Sequence, residues 1–281
     1  QCDAVGRIGG EEFLVVLANT GRQGADRVLG QLREAMQKLQ LQLHYQAQID
    51  LPSGRVKGAE ALARWNHPER GLLPPGAFLP DIQGTMLEIP FGDWVIDQAL
   101  ADCGRLRQHD VSLTISVNIS ARHLEKPDFV GQLRARLQNC SCKQVCHLEM
   151  EILETSALDD LDRVFEIIRE CAEFGVSFSL DDFGTGYSNL LSVKNFALDC
   201  IKIDKSFVSN LSHDLHVLAV AHATVNVIEN LGMVSVAEGI EEPAEAAVLL
   251  SMGCRYGQGF LFAHPLAPEY VLTAMTRPTA G

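Results

Sequence analysis

The stretch LTISVNIS, residues 113–120, alternates without a break: Leu113, Ile115, Val117 and Ile119 share one face, and Thr114, Ser116, Asn118 and Ser120 share the other. Successive side chains of a strand point to opposite sides of the sheet, so this segment predicts a strand with one apolar and one polar face. HLEMEIL (147–153) repeats the pattern with Glu149 and Glu151 set against Leu148, Met150 and Ile152. VSFSLDDF (176–183) repeats it with Ser177, Ser179 and Asp181, and CIKID (200–204) with Lys202 and Asp204.

Outward from these four, LHYQAQID (43–50), GAEALARW (58–65), VSVAEG (234–239) and YGQGFLF (256–262) also read as strands, which makes eight. Longer amphipathic stretches lie between them. In DLDRVFEIIRECAEFG (160–175), Leu161, Val164, Phe165 and Ile168 recur at three- and four-residue steps and the helix ends at Gly175. Eight strands alternating with helices predict an α/β chain folded as a (β/α)8 TIM-like barrel. Helices cover the outside of such a barrel, so the polar faces look into the lumen.

Several strands therefore aim acids at one interior, where desolvating a carboxylate costs several kcal/mol unless it is paired or bound to metal. Lys202 alone cannot neutralise them. The mouth at the C-terminal ends of barrel strands is where catalytic groups sit. Hard divalent ions such as Mg2+ or Mn2+ take the oxygen ligands that Asp, Glu and Asn provide. For a single acid, pairing with Arg64, Lys202 or solvent is the simpler reading; for the whole set, metal is.

Composition agrees. The chain has 281 residues, 47% hydrophobic and 21% charged, with a net charge of -13. The negative charge argues against non-specific binding to nucleic acid polymers or anionic membranes. No apolar run approaches the roughly eighteen residues that span a bilayer, and the N-terminus lacks a signal-peptide pattern, so a cytoplasmic location is expected. The chain opens on Gln1 and is read as a fragment, whose upstream part could carry a sensor or a membrane anchor. Eight scattered cysteines suggest reduced thiols rather than a disulfide framework. Cys140, Cys142, Cys146 and His147 match no common zinc spacing.

The motifs EALARW (60–65), YQAQ (45–48), SVNIS (116–120), EILETSAL (151–158), DDFGTGYSNL (181–190), IKIDKSFV (201–208), AEGIEE (237–242) and QGFLF (258–262) occur in order. With them the chain, from about residue 36 onward, resembles the EAL-domain family of phosphodiesterases that act on the bacterial second messenger cyclic di-GMP. The resemblance implies a modified barrel whose first strand runs antiparallel to the rest. It implies that Glu60, Asn118, Glu151 and Asp181 hold one metal ion, and that Asp181 bridges to a second held by Asp182, with Glu238 close by. Lys202 would stand beside the attacking water. Gln46 and Arg64 would contact the substrate phosphates, Glu241 and Gln258 would lie near the site, and Glu154 would tie down the DFGTGYSNL loop. Leu153 stands where the family usually has threonine, but no implied ligand is replaced.

A phosphodiester is anionic and repels hydroxide, so two Mg2+ or Mn2+ ions that activate water and clamp the phosphoryl oxygens suit the chemistry. Ca2+ is expected to inhibit. The expected product is linear pGpG. The alternative function is a catalytically silent cyclic di-GMP receptor that signals through a partner; an unrelated metal-dependent barrel aldolase would explain the acids but not the motif series. Family likeness also suggests a homodimer.

Residues 6–17, GRIGGEEFLVVL, resemble the signature turn of GGDEF-domain diguanylate cyclases. Residues 1–35 are accordingly read as a partial remnant with a connecting helix, and 36–281 as the phosphodiesterase domain. Cyclase activity is not expected from so short a piece.

Overall fold

The computed structural model describes residues 4–9, 12–16, 41–67, 69–106, 113–140, 146–153, 161–184 and 198–270, the first two segments as backbone only. The chain divides into two compact units, residues 1–42 with 63–95 and residues 43–62 with 96–281. In the first unit, β1 (Ala4–Gly9) and β2 (Glu12–Val16) pair antiparallel, where the GGEEF-like stretch calls for two strands; the turn residues lie outside the described set. β5 (Gly71–Leu73) pairs with the end of β4 (Arg55–His67), and Trp65, Phe78 and Phe91 meet edge to face.

The second unit contains the barrel. Its strands follow the order β3 (Leu41–Asp50), β11 (Tyr256–Gly257), β10 (Val234–Ala237), β9 (Cys200–Ile203), β8 (Ser177–Phe183), β7 (Cys146–Leu153), β6 (Leu113–Ile119) and β4, and a β3–β4 pairing closes the ring. The neighbouring pairs from β4 through to β11 are parallel, while β3 is antiparallel to β11. β3 thus opposes the other seven. Period and spacing could not have shown that reversal, because alternation reads the same in either direction; it agrees with what the family resemblance implies.

The outward faces of the strands form the core. Ile115, Val117, Met150, Ile152, Phe178, Ile201 and Ile203 are buried, and each such side chain contributes about 1.5–3 kcal/mol relative to exposure. α4 (Leu161–Ala172) packs on β8 through a stripe that includes the buried Val164, Ile167 and Ile168, and α5 (Leu215–Asn230) packs on β10 beside Ala221, Val225 and Ile228. The other helices are α1 (Glu88–Leu106), the single turn α2 (Ala121–Leu124), α3 (Phe129–Asn139) and α6 (Pro243–Ser251). None of the described helices is long and apolar enough to cross a membrane. Cys103, Cys171, Cys200 and Cys254 are buried and in no disulfide, as expected, whereas Cys140, in the one stretch where cysteines cluster, is disulfide-bonded.

YGQGFLF departs from its expected form. Only Tyr256 and Gly257 are strand; the chain bends at Gly259 and 260–262 is turn. The reason is a close approach: a Cβ on Gly259 would stand 2.1 Å from Ile240 O and 2.3 Å from Ile240 N. Ile240 N donates to Gln258 O at 3.1 Å, so the two loops after β10 and β11 are laced together where only glycine fits. Gly259→Ala should push them apart and cost about 3 kcal/mol, at the upper end for overpacking. Urea denaturation of the variant and the parent checks this; an unchanged midpoint would show that the loops part freely.

Candidate active site

Two of the acids that strand parity turns inward, Glu151 and Asp181, meet at the C-terminal ends of the parallel strands with Glu60 and Glu238 of the family motifs, whereas Asp204 accepts from Ser206 N at 3.0 Å and caps the turn after β9. Parallel register aligns Glu60 with Ser116, Asn118 with Glu151, and Glu151 with Ser179, so side chains of one parity form layers across the lumen. At the centre stands Lys202 on β9, 1% exposed. Its Nζ lies 2.8 Å from Glu151 Oε2, 2.5 Å from Glu238 Oε1, 3.3 Å from Glu60 Oε2 and 3.3 Å from Asp181 Oδ1. Four carboxylates share one ammonium.

Two amides complete the cluster. Asn118 Nδ2 donates to Glu60 Oε1 at 2.8 Å, and Gln258 Nε2 donates to Glu60 Oε2 at 2.6 Å and Glu238 Oε1 at 3.0 Å. The Glu151 carboxylate receives only Lys202; its Oε1 is buried with no partner. This difference separates two acids that contact the same cation. Burial works against ionisation of Glu60, but Lys202 and the two amides outweigh it and hold the group below its ordinary value. Burial and then the charge of Glu60 push Glu151 well above the carboxylate range despite Lys202. Burial pushes Glu238 up to about 8, with the charges of Asp181 and Glu60 adding to it against Lys202. Loss of water opposes the charge on Lys202, yet its carboxylates, Glu151 foremost, hold it well above its usual value.

Adjacent residues of a strand should face opposite sides, so Asp181 and Asp182 pose a geometric problem. β8 solves it locally. The β8–β9 register shifts between Leu180 and Phe183, and Asp182 adopts a left-handed backbone with φ 55°. Such an irregularity re-aims a side chain at the cost of strand regularity, and Asp tolerates the left-handed region better than most residues. Asp182 N also donates to Asp181 Oδ1 at 3.0 Å. In consequence one ligand atom each from Asp181, Asp182 and Glu238 lies within 4.8 Å of the others. Burial and the charges of Asp181 and Asp204 raise Asp182 above its ordinary value.

These residues fit divalent cations. The donors are all oxygens, anionic charge exceeds the single ammonium, and the buried Glu151 Oε1 has no other partner.

The remaining sequence-predicted residues are placed differently. Gln46, on β3, donates Nε2 to Ala263 O at 3.2 Å, in the segment after β11. Glu241 pairs with Lys205, and both are exposed. Arg64 belongs to the first unit, where Nη1 donates to Ala63 O at 2.9 Å. Glu154 and residues 185–190 of the DFGTGYSNL loop lie outside the described residues. Sequence reasoning noted Glu149 only as part of an alternating strand and missed the role of Gln258 as a clamp on two carboxylates. A lone glutamine beside glycine carries no signal of that kind.

Comparison with known proteins matches residues 29–265 to the EAL domain family. The chain is 37% identical over 261 residues to MucR of Pseudomonas aeruginosa, named a bifunctional diguanylate cyclase/cyclic di-GMP phosphodiesterase, covering 92% of this chain and 38% of that protein. It is 35% identical over 235 residues to PdeR of Escherichia coli, named a cyclic di-GMP phosphodiesterase, covering 84% of this chain and 35% of that one. It therefore spans less than two-fifths of either. Among solved structures, the PaMucR phosphodiesterase in complex with c-di-GMP aligns with a TM-score of 0.80 at 37% identity, over 87% of this chain and 99% of that one. The manganese/cy-diGMP complex of Klebsiella pneumoniae BlrP1 at pH 6 gives 0.70 at 29% identity, over 81% and 56%. A match running from residue 29 to residue 265 takes in every strand of the barrel, and the chain belongs to the EAL domain family.

Proposed function

We propose that this chain hydrolyses cyclic di-GMP to linear pGpG with the help of two divalent ions, Mg2+ or Mn2+. The observation that carries the reading is the set of four carboxylates gathered on the buried Lys202. Glu60, Asn118, Glu151 and Asp181 would hold one ion; Asp181 and Asp182, with Glu238, would hold the other. When bound, such ions lower the pKa of water and neutralise a phosphodiester. Residues 1–35 would be a partial GGDEF-like remnant and 36–281 the hydrolase domain; the expected connecting helix lies outside the described residues. An upstream sensor and a homodimeric state complete the proposal.

The protein groups have separable tasks. Lys202 Nζ donates hydrogen bonds, so it orients the attacking water and offsets negative charge growing on the phosphoryl oxygens. Gln258 keeps Glu60 and Glu238 aimed at the centre, since its amide nitrogen is committed to both. Gln46 and Arg64 would grip phosphate, Glu241 would line the approach after exchanging its Lys205 partner, and Glu154 would anchor the loop after Asp182. Gly184, with φ 97° and the Phe207 ring 2.8 Å from where a Cβ would sit, is a position that only glycine suits.

Incubating the purified chain with cyclic di-GMP and Mg2+ or Mn2+, and following pGpG by chromatography, tests the reading directly; tight binding without product would turn it into the receptor alternative. Lys202→Met should lower kcat by about 100-fold or more, in the range for removing one transition-state donor, while substrate affinity measured by titration stays within a few-fold. Lost affinity with unchanged kcat would remove Lys202 from the chemical step.

Ion binding should also be coupled to protons. A carboxyl whose folded pKa is raised favours folding fully only below its unfolded pKa, and that contribution is lost as pH rises through the folded value. For Glu238 the window runs from 4.5 to about 8, and Glu151 acts in the same direction. The ion-free chain should therefore lose thermal stability between pH 5 and pH 8. Divalent ions, which need the ionised carboxylates, should raise Tm more at pH 8 than at pH 6. Equal increments at both values would contradict this coupling.

Ca2+ prefers oxygen distances of ~2.3–2.6 Å and more ligands than Mg2+, which demands ~2.0–2.1 Å in a compact octahedron. It should occupy the same acids and admit substrate without supporting hydrolysis, an inhibition that excess Mg2+ reverses. Equal rates with the two ions would limit the metal to holding the substrate.

A further inference from the structure

Glu60, Glu151 and Asp181 lie within strands, where the ladder fixes their backbone. Glu238 lies one residue beyond β10, and its N–H donates to Ile203 O at 3.0 Å, one bond past the ladder with β9. The chain then turns at once: Gly239 has φ 65°, and Ile240 N donates to Gln258 O at 3.1 Å. The turn is thereby tied to the loop after β11 on one side. On its other side lies Lys205.

Asp204 accepts from Ser206 N at 3.0 Å and opens the single turn Lys205–Phe207, which sets the backbone from which the Lys205 side chain departs. The stem of that side chain crosses Gly239: a Cβ there would stand 2.5 Å from Lys205 Cγ and 2.7 Å from both its Cβ and its Cδ. The ammonium then closes on the Glu241 carboxylate. Glu241 N in turn donates to Glu245 Oε2 at 2.9 Å, on α6. Lys205 therefore straps the turn across its first residue and at its far end, and uses both its apolar stem and its charge to do so. With side chains 53% and 48% exposed, the ion pair adds little to global stability. What the strap restrains is the direction in which the turn presents Glu238. The Glu238 Oε1 meets Lys202 Nζ at 2.5 Å and Gln258 Nε2 at 3.0 Å, and the residue shares a cluster of ligand oxygens with Asp181 and Asp182.

We propose that Lys205 is a positioning residue for Glu238: its stem, laid across Gly239, and its ammonium, held by Glu241, lock the turn that delivers the Glu238 carboxylate to Asp181 and Asp182. The inference rests on the reading of that trio as a divalent-ion site. It predicts a sign that simple electrostatics reverses. Removing a positive charge near a cation site should tighten ion binding. Removing a strap that aims a ligand should weaken it, by about 10-fold or more, as for other groups that orient a metal ligand.

The test is titration of the ion-free chain with Mn2+, the free ion being read by electron paramagnetic resonance, in the parent and in Lys205→Met, Lys205→Arg and Glu241→Gln. Methionine keeps the stem and loses the charge, so Lys205→Met should bind one Mn2+ about 10-fold more weakly, whereas Lys205→Arg should stay within a few-fold of the parent. Glu241→Gln should match Lys205→Met, and the double variant should be no weaker than either, since each single change already opens the strap. Thermal unfolding of the ion-free variants should stay within about 2 °C of the parent, which separates a misaimed ligand from a loosened fold. Unchanged or tighter binding in Lys205→Met, or additive losses in the double variant, would overturn the proposal and leave the divalent site standing. A parent chain that binds no Mn2+ would overturn the divalent reading and this inference with it.

Discussion

A lysine with 1% exposure, holding four carboxylates, is the constraint on which the rest of the barrel depends. An ammonium taken out of water is unfavourable by several kcal/mol, and each carboxylate adds a similar penalty, so the cluster persists only if every member is held in place. Glu60, Glu151, Asp181 and Lys202 sit on four different strands. A parallel sheet closed on itself is a framework that can fix four strand ends within ångströms without using loops. The helices outside supply the apolar burial, which leaves the lumen free to be polar.

The same cluster explains why the second strand residue of the Asp181-Asp182 pair departs from strand geometry. A regular β8 would send Asp182 outward into the apolar layer beneath the helices. The register shift and the left-handed φ of Asp182 turn it back toward Asp181 and Glu238. Local backbone strain is thereby accepted where it brings three ligand oxygens together, as is common at functional sites. Burial first, and then the charges of neighbouring acids, shift Glu151, Asp182 and Glu238 toward their neutral forms.

Much of this was legible in the residues, for a definite reason. Strands such as 113–119 and 146–153 carry one apolar face for helices and one polar face for a lumen, and period-two alternation records both. Alternation marked Asn118, Glu151, Asp181 and Lys202 as facing the lumen, whereas Glu60 and Glu238, and the grouping of all six as one site, were implied by the family motifs EALARW and AEGIEE. Three things were not legible. The reversed direction of β3 leaves no trace in alternation. The bulge at Asp181-Asp182 breaks the period by one residue, which reads as an unremarkable end of a strand. The loss of strand after Gly257 depends on the approach of the Ile240 backbone, a contact between loops distant in sequence.

Glu149 shows how layered the lumen is. In many barrels the interior is filled by branched apolar side chains, and the fold gains stability from that packing. Here Gln48, Ser116 and Glu149, joined through the Ser116 hydroxyl, lie below the acids, so the interior is held by hydrogen bonds and charge rather than by volume. Polar interiors of this kind are satisfied or costly, with little between, because the low dielectric that strengthens a made contact also raises the penalty for a missing one. The unpartnered oxygens of Glu151, Gln48 and Ser179 fall in this interior, on lumen-facing positions. A chain that places its unsatisfied acceptors there, while its outward faces are packed with Ile, Val, Met and Phe, has a barrel whose stability is tied to what enters the lumen.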